Sequence, residues 1–261
     1  MKQIATFLFV ALFFTTATFA QSKWKLNAVN IQLGVNWNEF ESMSLDELMI
    51  FAKDPEQMHR DLSFMTEEAT TITAGGDIKA NFSWSPLNRA TGTYRTHQEL
   101  QVGIALHSPK EAMVAYKSET LDTSIVYCNL HSELSLEGAY VWRGQWGKRK
   151  RWHWYVGGGM NAGFTWDNEM VLMEGKYFEP GQHPSTQPID DVAPEPERYE
   201  AKSVVYSRIF IPYGLHYQIG KYTTLGLDFR TGRGLQFIGS EKVNWMRRSG
   251  GMALGMRFIL F

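Results

Sequence analysis

Cysteine is almost missing from this chain: Cys128 stands alone, so no internal disulfide and no cysteine-based zinc site can form. Net charge is missing too. The 26 Lys+Arg meet 27 Asp+Glu for a formal −1, which leaves none of the basic excess that a phosphate backbone requires and excludes nucleic acid as a partner. Beyond the N-terminus there is no run of about 18 apolar residues, so no helix is expected to cross a membrane. What is present is material for a folded protein: 44% of the residues are hydrophobic and 14% are aromatic, which excludes a disordered chain.

The first twenty residues have the layout of a secretory signal. Met1-Lys2-Gln3 is a short basic start, 4–14 is an apolar run, and Thr18 and Ala20 are small residues at the −3 and −1 positions of a cleavage site. The expected division is residues 1–20 as signal peptide and 21–261 as a single domain. Gln21 stands where a lipoprotein would carry its acylated cysteine, so no lipid anchor is expected there.

The rest of the chain alternates. Over 29–37 the odd positions are Val29, Ile31, Leu33, Val35 and Trp37, and the even ones are Asn30, Gln32, Gly34 and Asn36: a strand with one apolar and one polar face. The pattern returns at 72–84, 100–106, within 124–142, and at 152–166, 209–219, 224–230 and 252–260, making eight segments. Each is close to the roughly ten residues that a tilted strand needs to cross a hydrocarbon layer. A soluble sandwich would alternate in the same way, so the connections have to decide. They are long after segments one, three and five and shorter after two, four and six, which places the long loops on one side, as in an outer-membrane barrel. Pro212 falls inside the sixth segment and predicts a bulge there, or a strand reaching beyond the bilayer.

Charge sorts with the loops. Residues 39–69 and 167–200 each hold nine acids against two bases, whereas the turn 143–151 carries Arg143, Lys148, Arg149, Lys150 and Arg151 with no acid. These are two solvated ends of opposite sign, or else acidic loops that collect divalent cations, repel anionic surface molecules or meet a surface partner. Ser44 with Glu47 three residues on forms a capping box ahead of Leu48, Met49, Ile50 and Phe51, which predicts a short helix ending at Asp54-Pro55 as a lid over the barrel mouth. Pro180, Pro184, Pro188, Pro194 and Pro196 predict an extended third loop.

The chain ends in Gly255-Met-Arg-Phe258-Ile-Leu260-Phe261, which looks like the terminal assembly signal of bacterial outer-membrane β-barrels. With the signal segment and the strand plan, the whole mature chain resembles the small eight-stranded outer-membrane β-barrel family. That resemblance implies an all-β, eight-stranded antiparallel up-and-down transmembrane barrel with long outer loops in the outer membrane of a Gram-negative bacterium. It also implies insertion by the barrel assembly machinery, with outer-membrane lipid around the barrel and 143–151 as a basic periplasmic turn.

Inward positions of the eight segments carry Asp77, Glu99, Glu133, Glu137 and Asp228 against Lys79, Arg208, Arg230 and Arg257, with His131, His153 and His216 added. A barrel of eight strands is only wide enough for side chains to fill it, so these charges must pair across the lumen or through trapped water. No catalytic set, metal site or cofactor is expected; His131 and Ser132 are neighbours and should point to opposite faces. The expected function is a non-enzymatic barrel with a plugged, polar lumen. It would act through its acidic outer loops or its basic periplasmic face in surface interaction, envelope structure or secretion. The alternatives are a narrow porin-like channel and a membrane-embedded enzyme acting on lipid A.

Overall fold

The computed structural model describes residues 24–40, 44–69, 72–88, 93–94, 97–118, 123–176, 195–238 and 241–260. The expected signal segment 1–20, the proline-rich stretch 177–194 and Phe261 lie outside the described residues. The strands are β1 (Trp24–Phe40), β2 (Thr66–Ala69), β3 (Ile72–Asn88), β4 (Thr93–Tyr94), β5 (Gln98–Ser118), β6 (Thr123–Trp146), β7 (Trp152–Lys176), β8 (Glu197–Glu200), β9 (Val205–Gln218), β10 (Thr223–Ile238) and β11 (Glu241–Ile259). One helix, α1 (Leu45–Met49), and a 3-10 turn (Pro55–Met58) complete the described elements.

Eight of these strands form a closed ring in the order β1-β3-β5-β6-β7-β9-β10-β11, each antiparallel to its neighbours. Closure is made by β1 and β11, paired from Ala28↔Ile259 to Phe40↔Met246. A closed ring leaves no unpaired edge, and alternation then divides the side chains into an inside and an outside. The outside is apolar: Ile31, Leu33, Val35 and Trp37 on β1, Ile209, Ile211 and Tyr213 on β9, and Met252, Leu254 and Met256 on β11 are all exposed. The inside is polar: Asn30, Asn36, Asp77, Lys79, Asn81, Glu99, Glu133 and Arg257 are all buried. This is the reverse of a water-soluble core.

The alternating segments are all found as strands, but several strands run well past them. The third segment, 100–106, becomes a 21-residue strand and the fourth a 24-residue one, joined across 119–122. The linker after the third strand is therefore not long. Its residues are strand, paired in register from Lys110↔His131 to Ser118↔Thr123. The connection from β10 to β11 is likewise two residues, 239–240.

Irregularities on either side of β6 account for the difference. Between His107 and Lys110, β5 has two residues opposite one of β6, and between Trp166 and Glu169, β7 has two opposite one, with Asp167 at a left-handed φ of 54°. Each is a β-bulge, and each inverts the facing of every residue beyond it. On β5 the inward positions are Glu99, Ala105 and His107 before the bulge and Ala112, Val114 and Tyr116 after it; on β7 they pass from Tyr155, Asn161 and Thr165 to Met170 and Leu172. The inner face thus turns from polar to apolar. Against that apolar extension pack Leu48 and Phe51 near α1, Met58 of the 3-10 turn, Ala201 and Val204, forming a hydrophobic core separate from the lumen.

Pro212 does not make the expected bulge. Its pairing with β10 is continuous, Pro212 facing Arg230. On the other side the ladder is broken instead: Val156 pairs with Tyr213 and Gly159 with Phe210, with no pairing between. Proline has no N–H to donate.

Candidate functional site: the charged lumen and the outer extension

Three groups of buried charge lie along the lumen. Nearest the bulges, Arg208 places Nη2 2.8 Å from both carboxylate oxygens of Glu133, and His131 Nε2 lies 3.6 Å from Glu133 Oε1. His107 Nδ1 is 3.2 Å from Asp77 Oδ1 and 2.7 Å from Asn36 Nδ2. Lys79 pairs with Asp77 at 2.9 Å, and Arg230 reaches Glu137 at 2.6 Å and Asp77 at 3.4 Å. Lower down, Asp228 accepts from Tyr155 Oη at 2.5 Å and lies 2.7 Å from His216 Nε2. At the short-turn end Glu99 accepts from Arg257 Nη2 at 2.5 Å and from Arg143 Nε at 2.7 Å, while Asn27 and Ser83 hold the same Arg257 guanidinium.

Of the twelve residues expected to face inward, ten are buried, and Arg230 and His153 are partly buried, His153 at the cavity of the short-turn end. Arg143 joins them, which corrects its assignment to the basic turn: it lies on the inner face of β6, and its guanidinium also sits 4.8 Å from the Tyr155 ring. With it, five carboxylates meet five cations. Lys148, Lys150 and Arg151 are exposed in or beside the turn, whose reversal depends on Gly147 at φ 84°, with Lys150 N–H donating to Gly147 O. Tyr155 and Asn36 were not singled out by sequence; their inward register was the available signal. His131 and Ser132 are both buried, Ser132 beside the irregularities of β5 and β7, while the inward residues of β6 remain odd-numbered from Tyr127 to Glu137.

Of the terminal motif, Phe258 and Leu260 point outward and are exposed. Gly255 faces the lumen: a Cβ there would come within 1.9 Å of Asp228 Oδ2. Phe261 is outside the described residues. Below Glu99 the lumen opens into a cavity of about 440 Å³ lined by Arg143, His153, His97, Gln145 and Arg257.

At the opposite end α1 is held by the expected capping box: Glu47 N–H donates to Ser44 Oγ at 3.4 Å, and Ser44 N–H donates to the Glu47 carboxylate at 2.9 Å. The helix ends at Met49, earlier than Asp54, and packs on the inner face of the extension. Polar contacts fasten it. Arg60 bridges Glu174 at 2.5 Å and Glu197 at 2.8 Å, Lys53 meets Glu200 at 2.6 Å, and Ala52 forms a β-bridge with Ala201. The hydrogen bond from Tyr199, then Arg60, holds the Glu197 carboxyl below its ordinary value; Lys53 does the same for Glu200. Two carboxylates raise the already high value of Arg60 further. Among the described residues no group of three or more His, Cys, Asp or Glu is arranged to hold a metal ion.

No family model and no curated protein matches this sequence. Solved structures similar to it include Neisserial surface protein A, at 10% identity and a TM-score of 0.43, with 90% of this chain and 97% of that chain covered. The outer membrane protein OprG from Pseudomonas aeruginosa, also at 10% identity, has a TM-score of 0.41 and coverage of 90% and 97%. Ail, the attachment invasion locus protein of Yersinia pestis, is 10% identical at a TM-score of 0.37, with 90% and 100% covered. The pairing register of this chain's own strands makes it an eight-stranded, antiparallel, up-and-down β-barrel, the architecture in which small outer-membrane barrels are built.

Proposed function

We propose that this chain is a non-enzymatic integral barrel of the Gram-negative outer membrane, closed along its axis, which presents the extension of β5, β6 and β7 with its fastened loops as a rigid surface-interaction platform. The observation that carries the reading is the inverted radial polarity of the ring: an exposed apolar exterior around a buried, charge-neutral interior. Such an exterior is tolerated in lipid and is a liability in water. The polarity reverts where the bulges lie, which suits an extension standing in water. Against an enzyme stands the use of the lumen's acids and bases on one another: His216 and Tyr155 share Asp228, and His107 is held by Asp77 and Asn36. The acidic loops spend several carboxylates in the same way, on Arg60, Lys53 and Arg198, which favours a protein partner over a bare cation site.

A narrow channel is the second reading, favoured by the polar cavity at the short-turn mouth. Two measurements test both. Detergent-folded protein should migrate faster unboiled than boiled on a denaturing gel, and should pass no steady current in a planar bilayer. A steady current altered by Glu133→Gln would replace the plug by the channel. A water-soluble protein with no heat-dependent shift would overturn the membrane assignment.

A further inference from the structure

Two arginines stand on the outside of the barrel. Arg233 on β10 and Arg248 on β11 are both exposed, at an irregularity in the ladder: Gly232 pairs with Ser249 and Gly234 with Met246, which leaves the two arginines as cross-strand neighbours. Like charges so placed repel and destabilise the pair unless an anion lies between them. Among the described residues Arg233 has no ion pair or hydrogen bond, and Arg248 has one ion pair, with Glu39 at 4.0 Å.

Their height is informative. Arg233 lies ten residues above the start of β10 at Thr223. At about 3.3 Å per residue and a tilt near 40°, that is about 25 Å, the height of the apolar band on such barrels. The guanidiniums therefore stand where the headgroups of the outer leaflet begin. Below them runs an open groove of about 520 Å³ lined by Gly158, Ile209, Ile211, Thr231 and the two arginines. It passes the break in the β7–β9 ladder, and at Gly158 a Cβ would meet nothing within 4 Å.

We infer that this groove is a binding site for a phosphate-bearing lipid of the outer leaflet, its phosphate held between Arg233 and Arg248 and one acyl chain lying along Ile209 and Ile211 over Gly158. Guanidinium groups suit the task because each can give a phosphate two parallel N–H donors. The apolar floor selects a lipid over a free anion. The inference rests on the membrane reading above.

The test is native mass spectrometry of the full chain folded in zwitterionic micelles, titrated with phosphatidic acid, with phosphatidylcholine of the same chains, and with glycerol 3-phosphate as an acyl-free control. Phosphatidic acid should bind at one site and the other two at least tenfold more weakly. Arg233→Gln and Arg248→Gln should each weaken it by roughly tenfold. Gly158→Leu, which fills the groove without touching either charge, should weaken it as well. Equal binding of both phospholipids, indifference to the arginine variants, or binding of glycerol 3-phosphate as tight as that of the lipid would overturn the site. Each sample is first run unboiled and boiled. A heat-dependent shift with charge-independent binding refutes the lipid site alone, whereas absence of the shift refutes the membrane reading and the site with it.

Discussion

A buried charge is tolerated in this lumen only beside its counter-charge, so single substitutions there should have large effects. Arg208→Met leaves the fully buried Glu133 carboxylate without its guanidinium, and removing one partner of such a pair costs about 3–5 kcal/mol. Urea unfolding from lipid vesicles should register that loss. Glu133→Gln combined with Arg208→Met should recover much of it, because no uncompensated charge remains. Gly255→Val should also destabilise, since its side chain would meet the Asp228 carboxylate, while Phe258→Leu on the exposed outer side should be nearly neutral. At this scale the sequence was largely legible. Strict alternation assigned twelve charged or histidine residues to the inner face, because in a strand period two leaves no other choice. Arg143 was misplaced for a physical reason: its charge matches that of the turn beside it, whereas its odd-numbered register with Glu137 and Glu133 sets its facing.

The elements of the outer extension were much less legible. Ser108-Pro109-Lys110 reads as the end of a strand, and Asp167-Asn168 as the start of a loop, when each is a bulge inside a longer strand. Local pattern cannot reveal a strand whose facing changes midway, because the change is fixed by the partner strand β6. The helix was legible in its capping box and not in its length, because the core it joins is assembled from distant strands, with Val114, Tyr127, Met170 and Leu172 among its members. Ser44→Ala should remove one cap, worth about 1 kcal/mol, and raise hydrogen exchange of the amides over 45–52 without changing exchange in the ring. Acid should loosen the same loop. Glu197 and Glu200 ionise more readily in the folded loop than as free carboxyls, so their contribution is present above the ordinary carboxylate range and is lost as pH falls through their lowered values. Exchange over 44–69, corrected for the intrinsic pH dependence, should therefore rise below about pH 4, while the unboiled band stays fast.

Across the whole molecule, two cores of opposite character share three continuous strands. One is charged and enclosed by an apolar exterior; the other is apolar and roofed by α1 and the loop that carries Arg60. They should fail separately. Deleting 45–64 and closing the gap with a short Gly/Ser linker should remove the roof, leave the heat-dependent gel shift intact and expose Val114, Tyr127 and Leu172, which binding of an apolar dye would report. The bulges in β5 and β7 therefore work as a ruler. Moving both by two residues away from the ring inverts only the residues between the old and new positions, leaves every other side chain on its present face, and shifts the boundary between the ring and its extension by about 5 Å along the barrel axis. On the membrane reading, the thickness of bilayer that this chain fits is thus written in the position of two inserted residues, and can be reset outward with Glu133, Arg208 and His107 left on the inner face.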